Sequence, residues 1–286
     1  MPDGAPPPAA PLSPSNFLNP GPVTTPFSLA ILHLRRDNLL PITLTHHDPK
    51  NEGYSEGRVT NTRFGSYPHS TLLGVPWGSQ VRASRVDTGS RGRKTTATQH
   101  ADRHAKKRKR DAVGEGTSPP EDDEGPSLEV KEAVVADTGF VHVLPPTPEV
   151  WTIAIPHRTQ VVYTPDYSYI LHRLRARPGS VILEAGAGSG SFTHAAARAV
   201  FNGWPHEGRS KRGRVMSFEF HEQRKEKLQE EIGEHGLTGV VRVRGRDVCR
   251  DGFLVDGEDQ EDGEEHGVDA VFLDLPAPWC VELSQT

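Results

Sequence analysis

Cysteine is scarce: the 286 residues hold two, Cys249 and Cys280. They form no C-x-x-C pair, which argues against a structural zinc site. Two isolated thiols suggest a reducing compartment and no disulfide framework. Long apolar runs are also missing. None approaches 18 residues, so no membrane span is expected. The N-terminus lacks a basic stretch followed by an apolar core and is not a secretory signal. Hydrophobic residues make up 34%, while Gly reaches 28 and Pro 25. That is too lean for one compact globule of this length, so part of the chain is expected to be disordered. The formal net charge of -5 says little, because the charges are segregated.

What is present falls into three parts. Residues 1–26 are Pro/Ala/Ser-rich and read as a mobile tail. Residues 27–152 read as a small β-domain. Its strand candidates are Ala30–Leu34, Leu39–Thr45, Gly57–Thr62, Ser70–Val75 and Gly139–Leu144, with a turn at Arg36-Asp37-Asn38. A charged insertion, residues 85–136, interrupts it. The insertion carries Lys106-Lys107-Arg108-Lys109-Arg110 and Glu121-Asp122-Asp123-Glu124, blocks that do not bury. The basic pentamer has the composition of a nuclear localisation signal or a nucleic-acid patch, and so points to the nucleus; a solvated charge run is the alternative. His100 and His104 have i, i+4 spacing but no carboxylate or thiol partner, so no metal is assigned.

Residues 153–286 have a different texture. Pro145–Pro148 is a stiff connector leading into them. Thr164 as N-cap, Pro165 at the first helical position and Asp166 in the first turn start a helix over Tyr167–Arg175, and Pro178-Gly179 ends it. Strands at Val181–Leu183, Val215–Phe220, Val240–Val243 and Asp269–Asp274 then alternate with helices at Phe192–Val200 and His221–His235. In the second of these, Leu228 and Ile232 share a face. This alternation implies a parallel, doubly wound α/β sheet.

The centre of the sheet is Ser180 to Ser191, a short apolar strand that ends at Glu184 and breaks into glycines. Gly186, Gly188 and Gly190 let the backbone turn sharply and approach a ligand. With Ser189, Ser191 and the following helix N-terminus they form a socket for a nucleotide-like cofactor. The spacing is G-x-G-x-G; the dinucleotide pattern G-x-G-x-x-G would need glycine where Ser191 stands. Glu184 would repel a pyrophosphate but attract a sulfonium or ammonium group. The pattern therefore favours S-adenosylmethionine over NAD, against a bland reading of a glycine turn with no ligand. Ligands in such sheets bind beyond the carboxyl ends of the strands, which brings Glu219, Asp247 and Asp274 to one crevice.

Several motifs carry a family resemblance: Arg36-Asp37-Asn38-Leu39-Leu40-Pro41, Asn61-Thr62-Arg63-Phe64-Gly65, Pro146-Thr147-Pro148-Glu149-Val150-Trp151-Thr152, Pro156-His157-Arg158-Thr159-Gln160 and Tyr163-Thr164-Pro165-Asp166. Beyond the glycine socket come Phe218-Glu219-Phe220-His221-Glu222-Gln223-Arg224, Arg246-Asp247-Val248-Cys249 and Asp274-Leu275-Pro276-Ala277-Pro278-Trp279. With these the chain resembles the catalytic subunit of the tRNA (adenine-N1)-methyltransferases that modify the T-loop at adenine-58. Ala187 stands where the family's socket has Thr.

The resemblance implies a class I, Rossmann-like S-adenosylmethionine-dependent methyltransferase sheet, preceded by the small β-rich domain. It implies that Glu219 accepts from the cofactor ribose, that Arg224 braces Glu219 or touches the cofactor, and that Asp247 and Val248 meet the cofactor adenine. Asp274 would face the target adenine and stabilise the charge that methylation creates, with Trp279 as a stacking wall or floor. The implied partners are tRNA and a non-catalytic subunit, in a hetero-oligomer expected to be a heterotetramer. Such enzymes resemble one another in having seven strands, and four are legible here. The expectation is therefore a truncated or fragmentary sheet, with an open edge at Ala270–Leu273 and an isolated chain that is poorly soluble or inactive. A non-catalytic RNA-binding subunit and an NAD-dependent dehydrogenase remain as alternative readings.

Overall fold

The computed structural model describes residues 15–36, 38–46, 57–84, 139–155, 161–203, 213–253 and 267–281. The insertion 85–136 with its charge blocks and His100 and His104, the start of the tail, Pro156–Gln160 and residues 254–266 lie outside the described residues.

The N-terminal unit is an antiparallel sheet. Strands β1 (Leu29–Arg35) and β2 (Asn38–Thr43) form a hairpin. A separate hairpin joins β3 (Val59–Thr62) to β4 (Gly65–Pro68). Strands β5 (Gln80–Arg82) and β6 (Phe140–Leu144) complete the first sheet in the order β2-β1-β6-β5. Alternation along β1 sends Ala30 and Leu32 into a core with Tyr67, Leu72, Val141 and Val143. Ile31, on the opposite face, enters the core of the second unit, as does Phe17. The two units therefore share packing.

Three local expectations need correction. Ser70–Val75 is not a strand; His69–Leu72 forms the short helix α1. Its anchor is His69, whose Nδ1 accepts from the Thr45 amide at 3.1 Å while Nε2 lies 3.0 Å from the Thr60 hydroxyl. The proline-rich connector leads directly into a helix, α2 (Pro148–Ala154), with the Thr147 hydroxyl accepting from the Val150 amide at 3.4 Å. Thr147-Pro148-Glu149 is a cap, proline and acid in sequence, a helix start that the prolines obscured. Thr164 is not an N-cap. It is the first residue of α3 (Thr164–Arg173), Tyr163 precedes it as the cap, and the Thr164 hydroxyl lies 3.0 Å from the Tyr167 hydroxyl.

The C-terminal unit is a parallel sheet of β7 (Val181–Ala185), β8 (Arg214–Glu219), β9 (Val241–Gly245) and β10 (Ala270–Leu273), in the order β10-β7-β8-β9. Every residue of β7 is buried, as expected of a strand covered on both faces. Helix α4 (Ser191–Val200) packs Phe192, Ala196 and Val200 onto Ile182 and Val215, and α5 (Glu222–Glu234) adds Leu228 and Ile232. Burying a side chain the size of Phe192 contributes roughly 2–3 kcal/mol. Strand order reverses between β10 and β7, and a reversal of this kind opens a crevice at the strand tips.

Candidate active site

Register fixes the site. Leu273, Ala185 and Phe218 lie level across three neighbouring strands. The residues that follow them, Asp274, Gly186 and Glu219, make the next row, at the mouth of the crevice. The Asp274 amide donates to the Ala185 carbonyl and the Gly186 amide to the Phe218 carbonyl, each at 2.9 Å. Gly186, Gly188 and Gly190 have φ of 88°, 55° and 75°, so all three use the left-handed backbone region that disfavours a side chain. A Cβ on Gly186 would stand 2.2 Å from the Asp274 carbonyl oxygen. The turn is thus pressed against the tip of β10.

Glu219 is 5% exposed and fixes the turn. Its Oε2 accepts from the Gly188 amide and its Oε1 from the His221 amide, both at 2.9 Å. Glu184 lies beneath the turn at 1% exposure. Its Oε2 accepts from the hydroxyls of Thr193 at 2.6 Å and Ser217 at 2.7 Å. Burial pushes its pKa up to about 7; the two hydroxyls oppose that rise, and the neighbouring Asp274 and Glu219 add to it. Three carboxylates therefore converge at the switch point.

The serines of the socket are buried. Ser189 Oγ donates to Ser191 Oγ at 3.4 Å, and Ser191 Oγ donates to the Val162 carbonyl at 3.0 Å, tying the turn to the segment before α3. Asp247 caps the short helix α6 (Val248–Asp251), its Oδ1 accepting from the amides of Cys249 at 3.1 Å and Arg250 at 3.3 Å. Val248 is buried against Phe218 and Phe253. Arg224 is exposed on the first turn of α5 and does not bond Glu219, whose two oxygens are occupied by backbone amides. Asp274 is exposed at the crevice, and beyond it Trp279 is 83% exposed in a 3-10 turn, Pro278–Cys280.

Cys249 and Cys280 are joined as a disulfide, their Cα atoms 5.1 Å apart. This corrects the expectation of no disulfide. Strands β9 and β10 are opposite edges of the sheet, and the segments that follow them, α6 and the 3-10 turn, meet beyond the strand tips.

A family model described as the tRNA methyltransferase complex GCD14 subunit matches residues 139–283. The chain belongs to that family. The motif resemblance therefore holds. Among curated relatives, the tRNA (adenine(58)-N(1))-methyltransferase catalytic subunit trm61 of Aspergillus oryzae is 56% identical over 93% of this chain and 53% of its own length. The Kluyveromyces lactis catalytic subunit TRM61 is 37% identical over 88% of this chain and 47% of its own. The GCD14-family chain thus spans about half the length of the curated relatives it matches. A SAM-dependent O-methyltransferase from Thermotoga maritima superposes with a TM-score of 0.53 at 20% identity, covering 91% of this chain and 66% of that one. The likeness shows a Rossmann-like α/β fold.

Motif reading of this GCD14-family chain missed a buried histidine pair behind the socket. His194 Nδ1 lies 2.7 Å from the Gly190 carbonyl and so carries the proton, which leaves Nε2 to accept from His235 Nδ1 at 2.9 Å. Phe17 and Trp151 pack around both rings. Burial lowers the pKa of His194 to about 4; burial and the neighbouring ring lower that of His235 to about 2. Both are neutral, so the pair braces the carbonyl of the third glycine without adding charge. Thr193 and Ser217, the donors to Glu184, were missed as well.

Proposed function

We propose that this chain carries the cofactor-binding part of a catalytic subunit that moves a methyl group from S-adenosylmethionine to N1 of adenine in the T-loop of tRNA. The observation that carries the proposal is the level row of Gly186, Glu219 and Asp274 at the switch point. The donor set fits this cofactor. The carboxylates of Glu184 and Glu219 favour a sulfonium and an ammonium group and disfavour the pyrophosphate of NAD. S-adenosylmethionine, when bound, supplies a methyl group already activated on sulfur. Glu219 accepts from the ribose hydroxyls, its orientation set by the amides of Gly188 and His221. Gly186, Gly188, Ser189, Gly190 and Ser191 shape the turn, and Glu184 sets the field beneath it. Asp247 and Val248 frame the cofactor base, and Arg224 lies at the rim. Asp274 faces the acceptor adenine and stabilises the positive charge it acquires.

The relatives' names support tRNA as substrate. The family description, with its tRNA methyltransferase complex, supports a non-catalytic partner; we take the assembly to be a heterotetramer, in the nucleus. A purely scaffolding role is less well supported, because the socket keeps both its glycines and its acids.

Calorimetric titration of the chain with S-adenosylmethionine and with NAD tests the cofactor reading, and methylation of total tRNA with and without the partner tests the reaction. Saturable binding of S-adenosylmethionine alone is expected, with methyl incorporation that depends on the partner. Binding of NAD instead would overturn the proposal.

A further inference from the structure

Cys249 and Cys280 join the two segments that follow β9 and β10, α6 and the 3-10 turn. Cys249 sits two residues after Asp247, in α6. Cys280 directly follows Trp279, in the 3-10 turn after β10. Beneath the bridge, Val248 and Val281 are buried in one cluster with Phe218 and Phe253. The backbones around the two cysteines are therefore set by packing, and their Cα separation of 5.1 Å lies within the range a disulfide spans. Cys249 is exposed and Cys280 is half-buried, so small thiols and disulfides can reach the pair. Trp279, next to the bridge, is the most exposed large hydrophobic residue among those described, at 83%. A ring of that size left in water forgoes the stabilisation that burial brings.

We propose that Cys249 and Cys280 form a redox-modification site whose disulfide form holds Trp279 outside the crevice and whose dithiol form lets it close over the acceptor base. The site takes a low-molecular-weight disulfide of the glutathione class as oxidant. Oxidation forms one S–S bond between Cys249 Sγ and Cys280 Sγ. The two thiols give up two protons and two electrons, and the oxidant's own S–S bond breaks to give two thiols. The reverse exchange restores the dithiol. The inference rests on the methyltransferase reading, because it assigns the regulation to that site. The disulfide form then binds S-adenosylmethionine as the dithiol form does, but presents a poorer wall to the acceptor base.

The full chain is equilibrated across ratios of oxidised to reduced glutathione. Free thiols are then counted by maleimide labelling and mass spectrometry, tryptophan emission is recorded, and affinity for S-adenosylmethionine is measured on the same samples. The expected result is a single two-electron transition with an emission blue shift on reduction. Trp279→Phe abolishes the shift, and Cys280→Ser fixes the emission in its reduced-state form under every ratio. Cofactor affinity should change less than twofold across the transition. A pair that never oxidises, or that oxidises with no change in emission assignable to Trp279, overturns the inference. All three measurements are made on the unaltered chain, where the absence of oxidation or of any emission change overturns the inference even if a variant fails to fold. If the emission transition occurs while no sample binds S-adenosylmethionine, the methyltransferase reading has failed and the regulatory role assigned here falls with it. If the cofactor binds but no transition occurs, only the redox site is lost.

Discussion

The carboxylate of Glu219 accepts the Gly188 amide at 2.9 Å, so the acid at the tip of β8 holds the middle glycine of the turn that leaves β7. Two functions meet in one side chain: it orders the turn and presents the carboxylate assigned to the cofactor ribose. Glu219→Ala removes both. Affinity for S-adenosylmethionine should fall at least tenfold by calorimetry, since bonds to a charged acceptor are worth about 1.5–3 kcal/mol. Glu219→Gln keeps one acceptor oxygen and should lose less. Equal affinity for wild type and Glu219→Ala would remove Glu219 from the site.

The glycines of the turn differ in what lies opposite them. A Cβ on Gly186 would meet the Asp274 carbonyl oxygen at 2.2 Å, a backbone atom that cannot yield without moving β10. On Gly190 it would meet Leu228 Cδ1 at 2.4 Å, the far end of a flexible side chain. Both positions share the positive-φ penalty, roughly 1–2 kcal/mol. Gly186→Ala should therefore lower Tm clearly more than Gly190→Ala in thermal denaturation. A reversed order would mean that the tip of β10 is not packed against the turn.

Two groups of buried ionisable residues give stability opposite pH dependences. His194 and His235 have folded pKa values of about 4 and about 2, below the ordinary 6.5. The unfolded chain therefore binds their protons more readily, and the stability they contribute is complete above pH 6.5 and falls as pH drops below it. Glu184 behaves the other way. Its folded value of about 7 lies above the ordinary 4.5, so the folded state holds the proton better and stability falls as pH rises from 4.5 to about 7. Glu184→Gln removes that fall. The difference in unfolding free energy between Glu184→Gln and wild type should increase in the variant's favour from pH 4.5 to 7 and level off above, at roughly 3 kcal/mol before any cost of the unpaired amide. A difference that does not change with pH would show that Glu184 ionises normally.

How legible the site was depended on how local its chemistry is. The glycine turn and the acids at the strand tips could be read from sequence because positive φ and strand endings leave marks within a few residues. The support beneath them could not. Ser217 meets Glu184 only through the register of β7 on β8. His194 and His235 are 41 residues apart, and Cys249 and Cys280 are 31 apart. His235 stands at the end of the helix expected over His221–His235, a place that gives no sign of its tertiary partner. In the N-terminal unit the strand at Ala30–Leu34 showed through its alternation, whereas β5 is three residues long and left no period to detect. The prolines at 145–148 read as rigidity, whereas Pro148 opens α2.

Asp274 separates binding from chemistry most cleanly. Its amide is held by the Ala185 carbonyl at 2.9 Å, so strand pairing fixes its backbone whatever its side chain. The side chain is exposed, and among the described residues no hydrogen bond depends on it. Asp274→Asn keeps the shape and removes the charge, so it should leave Tm and S-adenosylmethionine affinity nearly unchanged. Methylation turns a neutral adenine into a cation, and a carboxylate at that position acts mainly on the transition state and product. Loss of such stabilisation costs about 10²-fold or more in kcat when the group is preorganised. The partner-containing complex assayed on tRNA should show that fall in kcat, with KM for S-adenosylmethionine within about twofold of wild type. If kcat holds and KM for the cofactor rises instead, Asp274 contacts the cofactor, and the acceptor base lies elsewhere in the crevice.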